Sequence, residues 1–207
     1  MRIFLIFIFE NSFKQLKMKF FHIVFSFFLV SCTLSVSNES NSNDTAMDIP
    51  ANAIKEELSD GITKITVNDG AGNLSQAGIV KEGKRQGNWI EYYPNALVKS
   101  ITPYVDGKME GLRVEFSNNG QLEKSMEYHN GMLHGYYKEL RYNTTREERY
   151  YENGKLEGTV RIYYDNGKIM EEGLYKNGTR DGISKWYDQE GNVTIEYEYK
   201  NGELIKK

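Results

Sequence analysis

The sequence predicts an all-β protein, an elongated, twisted antiparallel sheet built from about six tandem β-hairpins with a repeat of 24 residues. Three observations support this prediction: a glycine that recurs with a fixed period, Asn-Gly or Asp-Gly pairs within each period, and apolar residues at constant offsets between them. A period between about 20 and 50 residues is typical of repeat architectures, in which each unit is stable only beside its neighbours.

The period is set by six leading glycines, with spacings of 24, 24, 23, 24 and 24 residues. They are Gly83, Gly107, Gly131, Gly154, Gly178 and Gly202. A second glycine follows each of the first five after four residues, as Gly87 follows Gly83. We number five repeat units from Gly83 onward and count positions within a unit from its leading glycine as position 0.

Turn signals divide each unit into two strands. Asn-Gly and Asp-Gly pairs accept the positive φ angles of tight hairpin turns at low cost. Asn118-Asn119-Gly120 and Asp165-Asn166-Gly167 fit a three-residue loop with glycine in the left-handed conformation. The third unit is one residue short, so its loop is predicted to shrink to the two residues Tyr142-Asn143.

Three odd positions carry apolar or aromatic residues. Position 9 holds Tyr92, Phe116, Leu140, Tyr163 and Tyr187. Position 15 holds Val98, Leu122, Ile169 and Val193, with Thr145 as the exception in unit 3, and position 21 holds Tyr104, Tyr128, Tyr151, Tyr175 and Tyr199. Strand side chains alternate between faces, so an odd loop is predicted to place all three positions on one core face with a tyrosine ladder. Even positions are then predicted to lie on the opposite face.

The repeats resemble the MORN repeats, and most closely their bacterial MORN-repeat-variant group. The residues that carry the resemblance are Gly87 through Tyr93, Gly158 through Lys168, and Tyr175-Lys176-Asn177-Gly178. The resemblance implies a binding or scaffolding module. Some bacterial members look like antitoxins or immunity proteins, and the family name suggests lipid binding. Departures from the pattern are Ala96 at the first turn, Pro103 in the following strand and Thr144 near the third turn.

Residues 1–32 are predicted to be a lipoprotein signal peptide. Met18-Lys19 precedes an apolar run, Phe20–Val30, which is too short to span a bilayer and ends at Leu29-Val30-Ser31-Cys32. Met18 is an alternative start site. The only cysteine, Cys32, is predicted to be lipidated, which places the protein in the bacterial cell envelope; the alternative is an incidental thiol.

The rest of the chain is predicted to consist of two segments. Residues 33–60 form a flexible Ser/Asn-rich tether, in which Asn52–Leu58 could form one or two helical turns. Residues 61–207 form the repeat domain, in which Ile62–Val80 is a degenerate sixth hairpin that caps the stack.

The charge balance bears on the class of partner. Without residues 1–32 the chain has 26 − 4 = 22 basic and 29 − 1 = 28 acidic residues, a net charge near −6. This excess of acidic residues argues against nucleic acid, and it disfavours anionic lipid headgroups without excluding them.

No catalytic constellation is recognisable, so we expect no enzymatic activity and no cofactor. His129 and His134 flank Asn130-Gly131 and could share a metal, but two solvated loop histidines are the favoured interpretation. Glu91, Glu115 and Glu139 share position 8, opposite position 9, and are interpreted as part of a solvated face.

The function predicted from these observations is a membrane-anchored scaffold that binds a protein partner through its sheet surface. Aromatic residues at even positions are the candidate binding residues, with packing between hairpins as the alternative. They are Trp89, Tyr93, Tyr137, Tyr164 and Trp186. A toxin neutralised by this chain is one candidate partner, and a phospholipid surface is another.

Overall fold

A computed structural model describes residues 49–206 of the 207-residue chain. Over these residues the chain forms sixteen β-strands and no helix. The strands are β1 (Ile54–Ser59), β2 (Ile62–Asn68), β3 (Leu74–Lys81), β4 (Lys84–Tyr92), β5 (Val98–Val105), β6 (Lys108–Met109), β7 (Gly111–Phe116), β8 (Leu122–His129), β9 (Met132–Arg141), β10 (Thr144–Glu152), β11 (Lys155–Leu156), β12 (Gly158–Tyr163), β13 (Ile169–Lys176), β14 (Thr179–Tyr187), β15 (Val193–Lys200) and β16 (Glu203–Lys206).

All sixteen strands belong to one antiparallel sheet, and their order in the sheet follows their order in the chain. The short strands β6 and β11 each pair only with the strand before them. Six hairpins, from β2/β3 to β14/β15, lie between the outer strands β1 and β16. The predicted all-β sheet of tandem hairpins is confirmed.

The turns at one end of the strands are two-residue loops at the leading glycines. At Asn153-Gly154 both residues have positive φ angles, 49° and 79°, as a type I′ hairpin requires. The glycine N–H donates to the carbonyl of position 2 in the preceding unit, at 2.8 Å between Gly154 and Leu133. These turns therefore join consecutive units as well as consecutive strands.

The turns at the other end of the strands are the predicted three-residue loops. Ser117 N–H donates to Gln121 O at 2.8 Å, and Gly120, with φ of 82°, donates to Ser117 O at 2.9 Å. Ala96 takes the same left-handed place in unit 1, with φ of 65°. In unit 3 the loop shrinks to Tyr142-Asn143, closed by the pairing of Arg141 with Thr144, as predicted.

A β-bulge follows each of these loops and reverses the face assignment made from the sequence. In unit 1, Tyr92 pairs with Val98 and Glu91 pairs with Ser100, so Lys99 has no opposite residue. The equivalent bulged residues are Ser75, Lys99, Glu123, Arg146, Met170 and Thr194. One extra residue shifts the alternation by one. Position 21 therefore shares a face with positions 6 and 8, and the prediction that it shares a face with positions 9 and 15 is wrong.

The core lies on the face that holds positions 6, 17, 19 and 21, which we call the packed face. Its largest cluster joins the capping hairpin to unit 1 and consists of Ile65, Val67, Val80, Trp89 and Tyr104. Met126, Tyr128 and Val160 are also buried there. The position-21 tyrosines do form a row on this face, with Tyr104 and Tyr128 buried and the later three partly exposed.

Pro103 lies where the strand ladder is interrupted in every unit. It pairs with Asn88 on one side, but on the other side β5 pairs with β7 only at Ser100 and Ile101. The Pro103 carbonyl still accepts a hydrogen bond from Glu110 N–H at 3.0 Å. Proline is tolerated because the missing N–H has no ladder partner at this position.

The N-terminal boundary of the sheet differs from the prediction. Asn52–Leu58 does not form helical turns, because Ile54–Ser59 is strand β1 and pairs with β2. Pairing with an existing strand outweighs the weak helical preference of so short a segment. The sheet therefore begins inside the segment assigned to the tether. The predicted signal peptide, Cys32 and residues 33–48 lie outside the described residues.

Between residues 49 and 206, no helix has the length and apolar character that crossing a membrane would require.

Candidate functional site

Trp89 does not lie on an exposed face. Its side chain is 2% exposed on the packed face, and its Nε1–H donates to the carbonyl of Ile79 at 3.0 Å. The Arg85 guanidinium lies 4.4 Å from the indole centroid. A buried, hydrogen-bonded tryptophan is a core residue, so its prediction as an exposed binding residue is wrong because of the bulge at Lys99.

Tyr137 and Trp186 are also on the packed face, and both are partly exposed. The Tyr137 ring lies 6.3 Å from Tyr151, and its hydroxyl donates to Glu139 at 3.2 Å. Burial, with the nearby Glu139 charge, raises the pKa of Tyr137 above its usual value. Trp186 lies edge-on to Tyr197 at 5.6 Å and holds the Arg180 guanidinium at 5.3 Å. Both rings therefore pack within the repeat stack.

Tyr93 and Tyr164 connect the loops of successive units. The Tyr93 hydroxyl donates to Phe116 O at 2.8 Å, and the Tyr164 hydroxyl donates to Tyr187 O at 2.6 Å. Both tyrosines occupy position 10, and both acceptors occupy position 9 of the next unit. The structure thus places all five predicted binding residues in packing contacts, which was the alternative interpretation.

A set of contacts within each unit, between the start of its first strand and the end of its second, was not foreseen from the sequence. In every unit, the position-3 side chain accepts a hydrogen bond from the backbone N–H that precedes the next leading glycine. The pairs are Gln86 with Asp106 (3.0 Å), Glu110 with Asn130 (2.8 Å), His134 with Asn153 (3.3 Å), Glu157 with Asn177 (2.9 Å) and Asp181 with Asn201 (3.2 Å). The detectable signal was that position 3 always carries a side-chain acceptor.

The two histidines belong to these contacts. His129 Nδ1 lies 2.8 Å from Glu110 Oε1, and the His129 and His134 ring centroids are 5.6 Å apart. The hydrogen bond from Asn130 N–H lowers the pKa of the Glu110 carboxyl, and the hydrogen bond with His129 lowers it further. Within residues 49–206, no group of three or more His, Cys, Asp or Glu side chains is arranged to hold a metal ion.

His134 Nδ1 accepts the hydrogen bond from Asn153 N–H. His134→Ala removes this acceptor, and amide hydrogen exchange at Asn153 is expected to accelerate as a result. Exchange at Asn177, which is held by Glu157, provides the internal reference.

The matched variant is His134→Gln, because Gln86 already makes this contact in unit 1. The glutamine variant should keep Asn153 protected. If exchange at Asn153 is equally slow in the wild type and in His134→Ala, the acceptor role assigned to His134 is contradicted.

The opposite face of the sheet, which we call the open face, holds positions 5, 7, 9, 15, 18 and 20. A row of apolar side chains crosses it at positions 5 and 20 and is well exposed. The row consists of Leu112 (54% exposed), Tyr136 (69%), Leu174 (41%) and Ile183 (43%). One residue comes from each of units 2 to 5, and no described element covers the row.

Charged side chains beside this row are paired with one another. Across the strands of units 3 to 5, Lys138 pairs with Glu148 at 2.8 Å, Arg161 with Glu172 at 2.7 Å and Lys185 with Glu196 at 3.3 Å. Burial and a 2.6 Å hydrogen bond to Glu148 raise the pKa of Tyr163 to about 12. The open face therefore carries a set of ion pairs alongside its apolar row, together with Glu127 and Glu198 at position 20.

The position-8 carboxylates lie on the other face of the sheet from position 9, as predicted. That face is the packed face. Glu115 accepts from Arg113 at 2.6 Å, and Glu91 lies 3.4 Å from Lys99. Glu139 accepts a hydrogen bond from Tyr137. The position-8 carboxylates thus follow the repeat and have partners within it, which accounts for them as structural groups.

A single sheet of tandem hairpins with one packed and one open face defines a β-repeat protein. The family model for the MORN repeat variant matches residues 109–130, 144–158, 156–177 and 180–201. Four stretches of the chain between residues 109 and 201 therefore match this model, and the resemblance noted in the sequence is confirmed. MORN repeats are generally associated with membrane or lipid binding or with protein binding.

Other comparisons add little. No curated protein matches the chain. A mutant of S. aureus TarM in complex with fondaparinux, alpha-GlcNAc-glycerol and UDP is 13% identical, with a TM-score of 0.26, over 75% of this chain and 21% of that chain. A second TarM crystal structure is 14% identical, with the same TM-score and coverage. The chain thus spans about a fifth of these proteins, and such a TM-score supports no argument about function.

Proposed function

We propose that the chain is a non-enzymatic repeat scaffold, anchored to a bacterial membrane through Cys32, that binds a protein partner through the open face of its sheet. The observation that carries this proposal is the exposed apolar row of Leu112, Tyr136, Leu174 and Ile183. The packed-face aromatics are occupied by contacts within the stack, so the binding surface is assigned to the other face.

The row has the properties of a contact surface. Equivalent residues in neighbouring units are about 10 Å apart, because each unit contributes two strands about 4.8 Å wide. Tyr136 is the most exposed residue of the row, and its ring lies 5.2 Å from that of Tyr150. Exposed apolar patches bordered by charge are typical of protein-binding sites, and tyrosine is common among the residues that dominate their energetics.

The charges favour a protein over an anionic membrane as the ligand of this face. Lys138, Arg161 and Lys185 are each neutralised by a glutamate across the strand. A lipid-binding surface is expected to present unpaired lysine or arginine to phosphate headgroups. A partner protein can instead cover the apolar row and leave the ion pairs at the rim of the contact.

The test is crosslinking of tagged protein in the native cells, followed by mass spectrometry. The row variant combines Tyr136→Ser, Leu174→Ser and Ile183→Ser, and we expect it to lose one dominant crosslinked protein. Leu97→Ser is the matched control, since Leu97 is 41% exposed at a turn outside the row. The control should retain that protein, whose identity also distinguishes a toxin from another partner.

Two results would contradict the proposal. Equal capture by the wild type and the row variant would remove the open face from the interaction. Enrichment of phospholipid with no dominant protein, together with flotation of the chain on liposomes, would favour lipid binding instead.

A further inference from the structure

Arg85 is the exception among the partly buried arginines of the described residues. Five arginines form ion pairs with a carboxylate: Arg113 with Glu115, Arg146 with Asp165, Arg149 with Glu147, Arg161 with Glu172 and Arg180 with Glu171. Arg141 is exposed and lies over the ring of Tyr142. Within residues 49–206, only Arg85 is both partly buried and without a carboxylate in salt-bridge contact.

The Arg85 guanidinium lies against two aromatic rings. It lies 4.4 Å from the Trp89 centroid and 5.2 Å from the Tyr104 centroid, and it donates to the Tyr104 hydroxyl at 3.0 Å. Its Nε is buried without an acceptor among the described residues. Because removal of a cation from water is costly without a counter-charge, this arrangement favours an anion at the remaining donors.

Unit 5 contains an equivalent arginine, Arg180, that has a carboxylate partner. Arg180 and Arg85 both occupy position 2, and their surroundings align with an offset of 180 − 85 = 95 residues. In the strand register, Val80 pairs with Arg85 as Tyr175 pairs with Arg180, and Gln76 pairs with Glu91 as Glu171 pairs with Trp186. Arg180 also lies against aromatic rings, those of Tyr175, Trp186 and Tyr199.

The two places differ in a carboxylate, as well as in the aromatic residues around the arginine. Glu171 forms an ion pair with Arg180, and the residue at the equivalent place beside Arg85 is Gln76. Glu91 does not replace it, because its carboxylate lies 3.4 Å from Lys99 and accepts from Ser100 at 3.3 Å. Arg85 thus has the aromatic support of an arginine–carboxylate pair but lacks the carboxylate.

We propose that Arg85 is a binding site for a carboxylate supplied by another molecule, in the place that Glu171 fills beside Arg180. A guanidinium presents a fixed fork of donors that matches a carboxylate with two parallel hydrogen bonds. The inference does not rest on the proposed function. Arg85 lies on the packed face with Trp89 and Tyr104, so the carboxylate, an acidic side chain or C-terminus of another protein, comes from the side of the sheet opposite the open face. The site itself is defined by Arg85, Gln76, Trp89 and Tyr104.

The test uses the purified full chain, isotopically labelled at arginine, and follows the Arg85 side-chain signal by NMR. The signal is assigned from its disappearance in Arg85→Lys. The probe is glutamate with both backbone ends blocked, Ac-Glu-NH2, and the neutral reference is Ac-Gln-NH2. We expect a saturable shift with the glutamate probe only, with Kd of about 1–10 mM, as befits one small group.

Two variants make the result specific. Gln76→Glu supplies the missing carboxylate from within the chain and should abolish the shift, whereas Gln121→Glu adds the same charge at a distant turn and should leave it unchanged. Glu171→Gln should create a second responsive signal, at Arg180. The proposal is overturned if the wild type shows no saturable shift, if Gln76→Glu still binds the probe, or if inorganic phosphate saturates the site and the glutamate probe does not. None of these results depends on the open-face partner.

Discussion

Gly78→Ala is expected to destabilise the sheet by about 3 kcal/mol. A Cβ added at Gly78 would lie 2.3 Å from Trp89 Cδ2 and 2.5 Å from Cε2, far inside van der Waals contact. The indole cannot move away freely, because it is buried and hydrogen-bonded to Ile79 O. Forcing extra volume into a packed core typically costs about 1–3 kcal/mol, and a rigid ring places this site at the upper end.

The measurement is the midpoint of equilibrium unfolding in urea, compared with Gly70→Ala as the matched control. Gly70 has nothing within 4 Å of an added Cβ and does not have a left-handed φ angle. The control is expected to change the free energy of unfolding by less than about 0.5 kcal/mol. Equal stability of the Gly78 and Gly70 variants would mean that Trp89 does not pack across Gly78.

Trp89→Ala is expected to cost about 3–5 kcal/mol of unfolding free energy, the range typical of a large aromatic residue removed from a core. Among the described residues Trp89 is the largest fully buried side chain, and it joins the capping hairpin to unit 1 through Ile65, Val67 and Val80. Its loss also removes the aromatic support of Arg85. Chemical denaturation of the purified chain measures the effect.

The control for Trp89→Ala is Tyr136→Ala on the open face, where the side chain is 69% exposed. This change is expected to alter stability by less than about 0.5 kcal/mol. A Trp89→Ala variant with the stability of the wild type would contradict its placement in the core and would restore it as a candidate binding residue.

The hairpin order could be predicted because each turn is determined by a few residues that are adjacent in the sequence. A two-residue hairpin loop such as Asn153-Gly154 requires two positive φ angles, whereas the three-residue loop that ends at Gly120 requires one. Because Asn and Gly tolerate positive φ angles, their number and order in the sequence indicate the loop length. Even the shortened loop at Tyr142-Asn143 follows from counting residues. The 24-residue period then repeats the same hairpin along the chain.

The face assignment could not be predicted, because the bulge residues have no common type. Lys99, Glu123 and Met170 are bulged in equivalent places and share no chemical property. One unmatched residue per unit reverses the alternation, so the period-two argument placed Trp89 on the wrong face. The binding surface proposed from the structure is consequently the opposite one from that proposed from the sequence.

Strand β1 was missed for a different reason. Its charged and apolar residues do not alternate in the manner of a strand, and it is held by pairing with β2. The Arg85 site was missed because it depends on the absence of a carboxylate in one unit, which only the register with Arg180 reveals.

The face assignment is tested most directly by the fluorescence of Trp89 in the Trp186→Phe variant, since the chain contains only two tryptophans. Our account predicts blue-shifted emission that acrylamide barely quenches, because Trp89 is 2% exposed. Emission typical of a water-exposed indole, quenched as readily as free tryptophan in a chain that remains folded, would contradict it. That result would return Trp89 and the other even positions to the exposed face.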